Sequence, residues 1–349
     1  MKNQTVINEI QLQFETIEPV FTIPEVDFLK KRGIKPSPLY NSFWKFATER
    51  QHIFQSRMKN EKYPWTDDII LLKYKFTNAY RASDRVSQYL IHNVIYTDDY
   101  KTFSQEDVFF RIILFKTFNK IETWELLEKV LGRVDYSSYS FSRYDSIMTE
   151  LLKKGGRIYS AAYIMPSGKC FGSEKKHRNN LRLIEMMMSQ NTAKRISKTR
   201  NLKDLYELLI SYPSIGEFLA FQYAIDINYS ELCDFSEMDY VIAGPGARSG
   251  ISKLFLDKNG YSDEYIIRLM AENQEKEFHR LNLDFQYLGD RRLQLIDCQN
   301  IFCETDKYTR VAYPYYQGKS NRKRIKQLFT PNISNPIKYF YPPKWEIKL

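Results

Sequence analysis

The chain has 349 residues and a mass of 41.7 kDa, with 43% hydrophobic residues and no apolar run long enough to cross a bilayer. Its 52 Lys and Arg against 42 Asp and Glu give a net charge of +10 and a pI near 9.1, a balance that favours a polyanionic partner. Four irregularly spaced cysteines, four scattered histidines and an N-terminus without a signal-peptide plan argue against a disulfide framework, a metal centre and secretion, so the expected location is the cytoplasm.

In chain order, residues 1–40 contain Pro19, Pro24, Pro36 and Pro38 and read as an extended arm. The helical domain expected over 41–190 begins with SFWKFATERQHIFQSRM, where Phe43, Phe46, Ala47, Ile53 and Phe54 share a face and Ser42 is placed to cap. FTNAYRASDRVSQYLI reads as a second helix, pairing Tyr80 with Asp84 and Arg81 with Arg85 on neighbouring turns. EDVFFRIILFKTFNKIETWELLEKVLG is apolar enough for a buried central helix, with a break near Asn119 and an end at Gly132.

A third region, 191–312, carries the strongest functional signal. Tyr206, Leu208, Leu209 and Ile210 close one helix, Pro213-Ser214-Ile215-Gly216 breaks the pattern, and Leu219, Ala220, Tyr223, Ala224 and Ile227 restart it. Such a hairpin presents the unpaired N–H groups of a helix start, which suit a phosphate. Gly216 is expected to supply backbone freedom to the turn. The basic residues Lys194, Arg195 and Lys198 run directly into it, and Lys319, Arg322, Lys323, Arg324 and Lys326 form a second cluster in the basic, aromatic tail of 313–349.

Beyond the hairpin, Asp239 opens a hydrophobic segment that leads into Gly244-Pro245-Gly246-Ala247-Arg248, where the two glycines are expected to let backbone approach a ligand. The hairpin resembles that of DNA glycosylases, in which a catalytic carboxylate follows by about one helix and one short loop; the resemblance makes Asp239 the first candidate for that role, with Asp234 and Asp226 as rivals. Further on, Asp297, Asn300, Glu304 and Lys307 recur at three- or four-residue spacing and would line one helix face. That face is either a base-reading edge or a network fastening the helix to the domain.

The hairpin resembles the helix-hairpin-helix motif of DNA glycosylases. Phe46 to Gln51, Phe76 to Arg81, Asp84 to Leu90, Phe110 to Phe115, Asp239 to Ile251 and Leu295 to Glu304 are similar to the alpha-glutamyl/putrescinyl thymine pyrophosphorylase family, whose members are related to DNA glycosylases and share a helical domain with kinases of 5-hydroxymethyluracil DNA. The resemblance spans roughly residues 40–312. It implies an all-α fold, a helix-hairpin-helix glycosylase-like domain joined to an N-terminal helical domain.

It also implies a monofunctional DNA glycosylase, since Phe218 stands where strand-cutting relatives carry a lysine nucleophile. The expected act is hydrolysis of the N-glycosidic bond of a hypermodified pyrimidine in phage DNA, such as glucosylated 5-hydroxymethylcytosine, leaving an abasic site as a defence against the phage. Asp239 would stabilise the sugar cation, Tyr80, Arg81, Asn300 and Glu304 would form the pocket, and Pro213, Ser214, Ile215, Gly216, Lys194, Arg195, Lys198, Gly244, Gly246 and Arg248 would hold DNA. The partner is then double-stranded DNA with modified pyrimidines, with nucleoid association while bound, no cofactor, no metal and no protein partner. Two alternatives stay open: an enzyme of thymine hypermodification acting on activated 5-hydroxymethyluracil in DNA, and a noncatalytic DNA-binding module.

Overall fold

A computed structural model describes residues 22–163, 165–316, 322–333 and 338–348. Helices dominate them. Strand structure among the described residues is confined to a two-stranded antiparallel ladder, Lys35–Pro36 against Phe255–Asp257, and two isolated bridges. None of the described helices is long and apolar enough to cross a membrane. Residues 1–21 of the expected arm, and Lys319 of the tail cluster, lie outside the described residues; from 22 to 40 the chain holds a short helix, Asp27–Lys30, and the first strand.

Two helices organise the interior. The central helix, Gln105–Phe118, starts with a capping box in which the Ser104 hydroxyl accepts from the Asp107 N–H and the Asp107 carboxylate accepts from the Ser104 N–H. It is apolar around most of its circumference and buried along nearly its whole length, and it ends where Asn119 adopts φ 48°. It packs against Lys176–Ser189, Thr192–Ile196 and the second hairpin helix, Glu217–Asn228. The C-terminal helix, Leu295–Ala312, packs against Pro245–Leu254, Asn41–Met58 and Asp263–Glu272. One hydrophobic core runs continuously from Val26 to Tyr341.

Two local expectations fail for identifiable reasons. Ser42 lies inside the Asn41–Met58 helix, whose N-cap is Tyr40, and makes no cap. The segment 77–84 is not α-helical: a short 3₁₀ turn, Arg81–Ser83, is followed by an α-helix only at Arg85–Tyr89 and then by a π-helical stretch, Leu90–Ile95. Side chains take the backbone groups that a helix would pair. Glu304 accepts from the Thr77 N–H (3.0 Å), Asp84 from the Asn78 N–H (2.7 Å) and Asp297 from the Arg81 N–H (2.8 Å).

The tail crosses this same segment. Phe340 exchanges two hydrogen bonds with the Gln88 side chain, the Tyr341 hydroxyl lies 2.7 Å from Ser83 Oγ, and Lys344 donates to the Ser230 and Cys233 carbonyls.

Candidate functional site

The hairpin joins Leu202–Ile210 to Glu217–Asn228 as the periodicity requires. Its left-handed residue is Ser214, at φ 66°, and not Gly216, which sits at φ −87° as the N-cap of the second helix. Gly216 is exposed, and a Cβ there would meet nothing, so its contribution is a bare helix entrance rather than conformational freedom. Lys194, Arg195 and Lys198 are exposed on the short Thr192–Ile196 helix and the turn after it. Arg195 Nη1 donates to the Tyr212 hydroxyl (3.0 Å), which also pairs with Thr192 Oγ1 (2.6 Å), tying the basic turn to the hairpin. Pro213 and Ser214 are half-buried and Ile215 is buried. Glu217 places a carboxylate in the first turn of the helix, so a phosphate would depend on the neighbouring cations as well as on the helix end.

The Gly-Pro-Gly segment does something other than approach a ligand. Gly244 caps the Pro245–Leu254 helix. A Cβ at Gly246 would fall 2.2 Å from Cys303 Sγ, one at Gly250 2.1 Å from the Phe302 carbonyl oxygen, and one at Gly244 2.7 Å from the Phe218 ring. These glycines let this helix and the C-terminal helix approach each other, with the Phe218 ring against the loop between. Arg248 Nε donates to the Ala243 carbonyl (2.8 Å) and Nη2 lies 3.8 Å from Glu264, bracing the same loop from outside.

Asp239 is exposed at a bend, where its backbone carbonyl accepts from Arg268 (2.9 Å). Asp234 is also exposed and lies 3.5 Å from Lys344. The third rival, Asp226, is fully buried. On the second hairpin helix and its C-cap, Gln222, Asp226 and Tyr229 follow at steps of four and three, which puts them on one face, and Arg81 reaches all of them. Its Nε donates to Gln222 Oε1 (3.1 Å), Nη1 to the Tyr229 hydroxyl (2.9 Å), and Nη2 lies 2.8 Å from Asp226 Oδ1.

From the central helix, Lys116 Nζ comes to 3.2 Å from Asp226 Oδ2 and donates to Asn119 Oδ1 (2.8 Å). Asp226 meets both cations as charge contacts without aligned hydrogen bonds. Burial presses the Lys116 ammonium below its ordinary range while Asp226 pulls it back; on Arg81 burial is more than offset by Asp226 and Tyr229. Two buried cations thus share one buried carboxylate.

Around this cluster lie groups with other duties. Tyr80 is buried and donates to the Arg291 carbonyl (2.5 Å), so it is a strut rather than a pocket wall. Glu304 is held by Lys307 (2.7 Å) as well as by the Thr77 N–H, and Asp297 also caps its own helix, so this face fastens the C-terminal helix to segment 77–81. Asn300 is buried with its Nδ2 unpaired. Burial pushes Asp297 up to about 7, with Glu237 adding to it, and pushes Asp84 up to about 7, with Glu304 adding to it. Beside the cluster, buried Gln222 Nε2 lies 3.4 Å from Gln299 Oε1, and the rings of Tyr163 and Phe218 stack at 5.8 Å.

Residues 37–318 match the family described as 5-hmdU DNA kinase, helical domain. The chain belongs to this family. The 5-hmdU DNA kinase of Bacillus phage SP10 is 23% identical over 327 residues, which cover 86% of this chain and 51% of that relative. The chain therefore spans about half the length of the curated relative it matches. No solved structure matches it.

This family match corrects the expectation of a glycosylase of the thymine pyrophosphorylase family. Hydrolysis of a glycosidic bond, an abasic product and a hydrolase mechanism centred on Asp239 fall with it.

Lys116, Gln222, Tyr229 and Tyr163 were not among the sequence candidates. A signal for two of them was present: Lys116 interrupts FFRIILFKTF, and Gln222, with the candidate Asp226, interrupts EFLAFQYAIDIN, on helices otherwise apolar enough to be buried. A buried polar side chain needs a partner: Arg81 supplies it for Gln222 and Asp226, and Asp226 with Asn119 for Lys116.

Proposed function

We propose that this chain works on 5-hydroxymethyl-2′-deoxyuridine in DNA as the helical part of a 5-hmdU DNA kinase-type activity. The observation that carries the reading is the family match across 37–318, which contains both the basic hairpin and the Arg81–Asp226–Lys116 cluster. Exposed Lys194, Arg195 and Lys198 beside the hairpin suit duplex phosphates, and such contacts position a protein without reading sequence.

A kinase must bring the hydroxymethyl oxygen to the terminal phosphorus of a nucleoside triphosphate. The new O–P bond forms as the bond to the leaving diphosphate breaks, and the hydroxyl proton goes to a base. Inside a duplex that oxygen is hard to reach, so the nucleotide is drawn out of the stack at a cost of a few kcal/mol, offset by phosphate contacts and a pocket. In this reading the helical chain holds the DNA and presents the extruded pyrimidine, and the buried cations sit where negative charge is best stabilised.

The test uses duplexes carrying one 5-hmdU or one thymine at the same position. Binding is followed by anisotropy, and transfer of terminal label from ATP to the DNA is followed by gel. Preference for the 5-hmdU duplex, weakened at least tenfold by Asp226→Asn at unchanged duplex affinity for thymine, is the expected result; about 1.4 kcal/mol corresponds to such a factor. Equal binding to both duplexes with no label transferred would reject the reading.

A further inference from the structure

Tyr163 is placed unlike a packing residue. Its backbone adopts φ 53°, a left-handed conformation uncommon for a bulky aromatic residue and typical of sites where a strained arrangement serves a purpose. Its ring lies nearly parallel to Phe218, 4° from coplanar at 5.8 Å, and Lys116 Nζ stands over its face at 5.1 Å. The phenol is within electrostatic reach of Arg81, Asp84 and Asp226. Tyr163 is nevertheless only half-buried. The loop that carries it is fixed just upstream, where the Ser160 N–H donates to the Phe118 carbonyl (3.0 Å) and Asn119 Nδ2 to the Ala162 carbonyl (3.4 Å). The ring itself is held by the Phe218 stack and the Lys116 contact.

A six-membered aromatic ring, stacked on a phenylalanine and with the ammonium of a buried ion cluster over its face, has the outline of an extruded pyrimidine base. We propose that Tyr163 occupies, in the DNA-free protein, the slot that an extruded 5-hydroxymethylpyrimidine takes, with Phe218 as the stacking surface and Arg81, Lys116 and Asp226 facing the 5-substituent. The inference rests on the reading that the chain works on 5-hmdU DNA. On binding, the base displaces the Tyr163 ring, which relieves the left-handed strain, and the phenol's place beside the cluster passes to the hydroxymethyl group. Buried Gln299, whose Oε1 lies 3.4 Å from Gln222 Nε2, has its own Nε2 near the Gly244 position that the Phe218 ring also meets.

The experiment compares the whole protein with Tyr163→Gly, a residue suited to the left-handed backbone, and with Phe218→Ala. Each is titrated with duplexes in which one position is 5-hmdU, thymine or an abasic site. If the ring fills the slot about nine-tenths of the time, its removal tightens 5-hmdU binding about tenfold. Abasic binding stays unchanged because no base competes, and Phe218→Ala loses the 5-hmdU preference.

Tyr163→Trp supplies a second readout that needs no ring deletion: its emission shifts to the red as 5-hmdU DNA expels the indole from the stack. Unchanged or weaker 5-hmdU binding by Tyr163→Gly, or an unmoved tryptophan spectrum, overturns the slot. If the unaltered protein still prefers 5-hmdU in that case, the proposed function survives without it. An equal gain for thymine and 5-hmdU keeps the slot and removes the substrate reading.

Discussion

Asp226 carries a burden that Asp239 does not. Two buried cations depend on its carboxylate, and removing one partner of a buried ion pair typically costs about 3–5 kcal/mol because the survivor is left uncompensated. Any variant that removes this charge, asparagine included, leaves Arg81 and Lys116 uncompensated, so its loss of 5-hmdU preference counts as chemistry only where a thermal melt shows the variant folded. Asp84 and Asp297 are charged with a different task. Each is pushed up to about 7, first by burial and then by a neighbouring carboxylate, and each accepts a backbone N–H from segment 77–84.

The stability such a raised acid contributes is fully present below its unfolded value of about 3.9 and is lost as pH rises through about 7. Urea midpoints of the unaltered protein should thus fall between pH 5 and pH 8, and the fall should be shallower in Asp84→Asn, which stays neutral throughout. A variant profile as steep as that of the parent would show that Asp84 is ionised across the range.

At the scale of elements, glycines separate by what surrounds them. Gly250→Ala drives a methyl into the Phe302 carbonyl and should destabilise the fold by about 1–3 kcal/mol or more, whereas Gly216→Ala enters open space and should cost about 1 kcal/mol or less, as an N-cap change. Thermal melts of the two variants decide it, and equal losses would mean the helix–helix approach is looser than 2.1 Å implies.

The two hairpin helices and the break at Asn119 were legible because periodicity and punctuation are local signals. The purpose of Gly246 and Gly250 was not, because their partner, Cys303 with Phe302, lies fifty residues away and only packing reveals it. Segment 77–84 misled for a related reason: its side-chain spacing suits a helix, but Asp297 and Glu304 from another helix take its N–H groups. Arg81 was legible as a candidate, though its role as the hub of a buried ion cluster was not.

For the whole molecule, the proposed function assigns the net charge and the exposed Lys194, Arg195 and Lys198 to association with duplex DNA of any sequence. Replacing all three with glutamine should flatten the dependence of log affinity on log salt by about 2 to 3, at close to 0.9 per lost phosphate contact. It should do so equally for 5-hmdU and thymine duplexes, measured by anisotropy between low and physiological salt. A change confined to the 5-hmdU duplex would move these residues from the phosphate track to the base.

The buckle made by residues 338–348 has a consequence in time. Gln88 meets Phe340 and Ser83 meets Tyr341, closing loops of more than two hundred residues beside the Arg81 cluster, and Trp345 lies edge-on to Tyr229 across more than one hundred. Long-range contacts of this kind form after local ones, since the chain entropy of closure is lost before the contact is gained. The hairpin and the central helix, built from neighbours, can be in place early. The ion cluster joins Arg81, Lys116 and Asp226 only once those elements have docked. During synthesis, residues 338–348 must leave the ribosome before their contacts beside the cluster can form, so the hairpin and the central helix precede them in time.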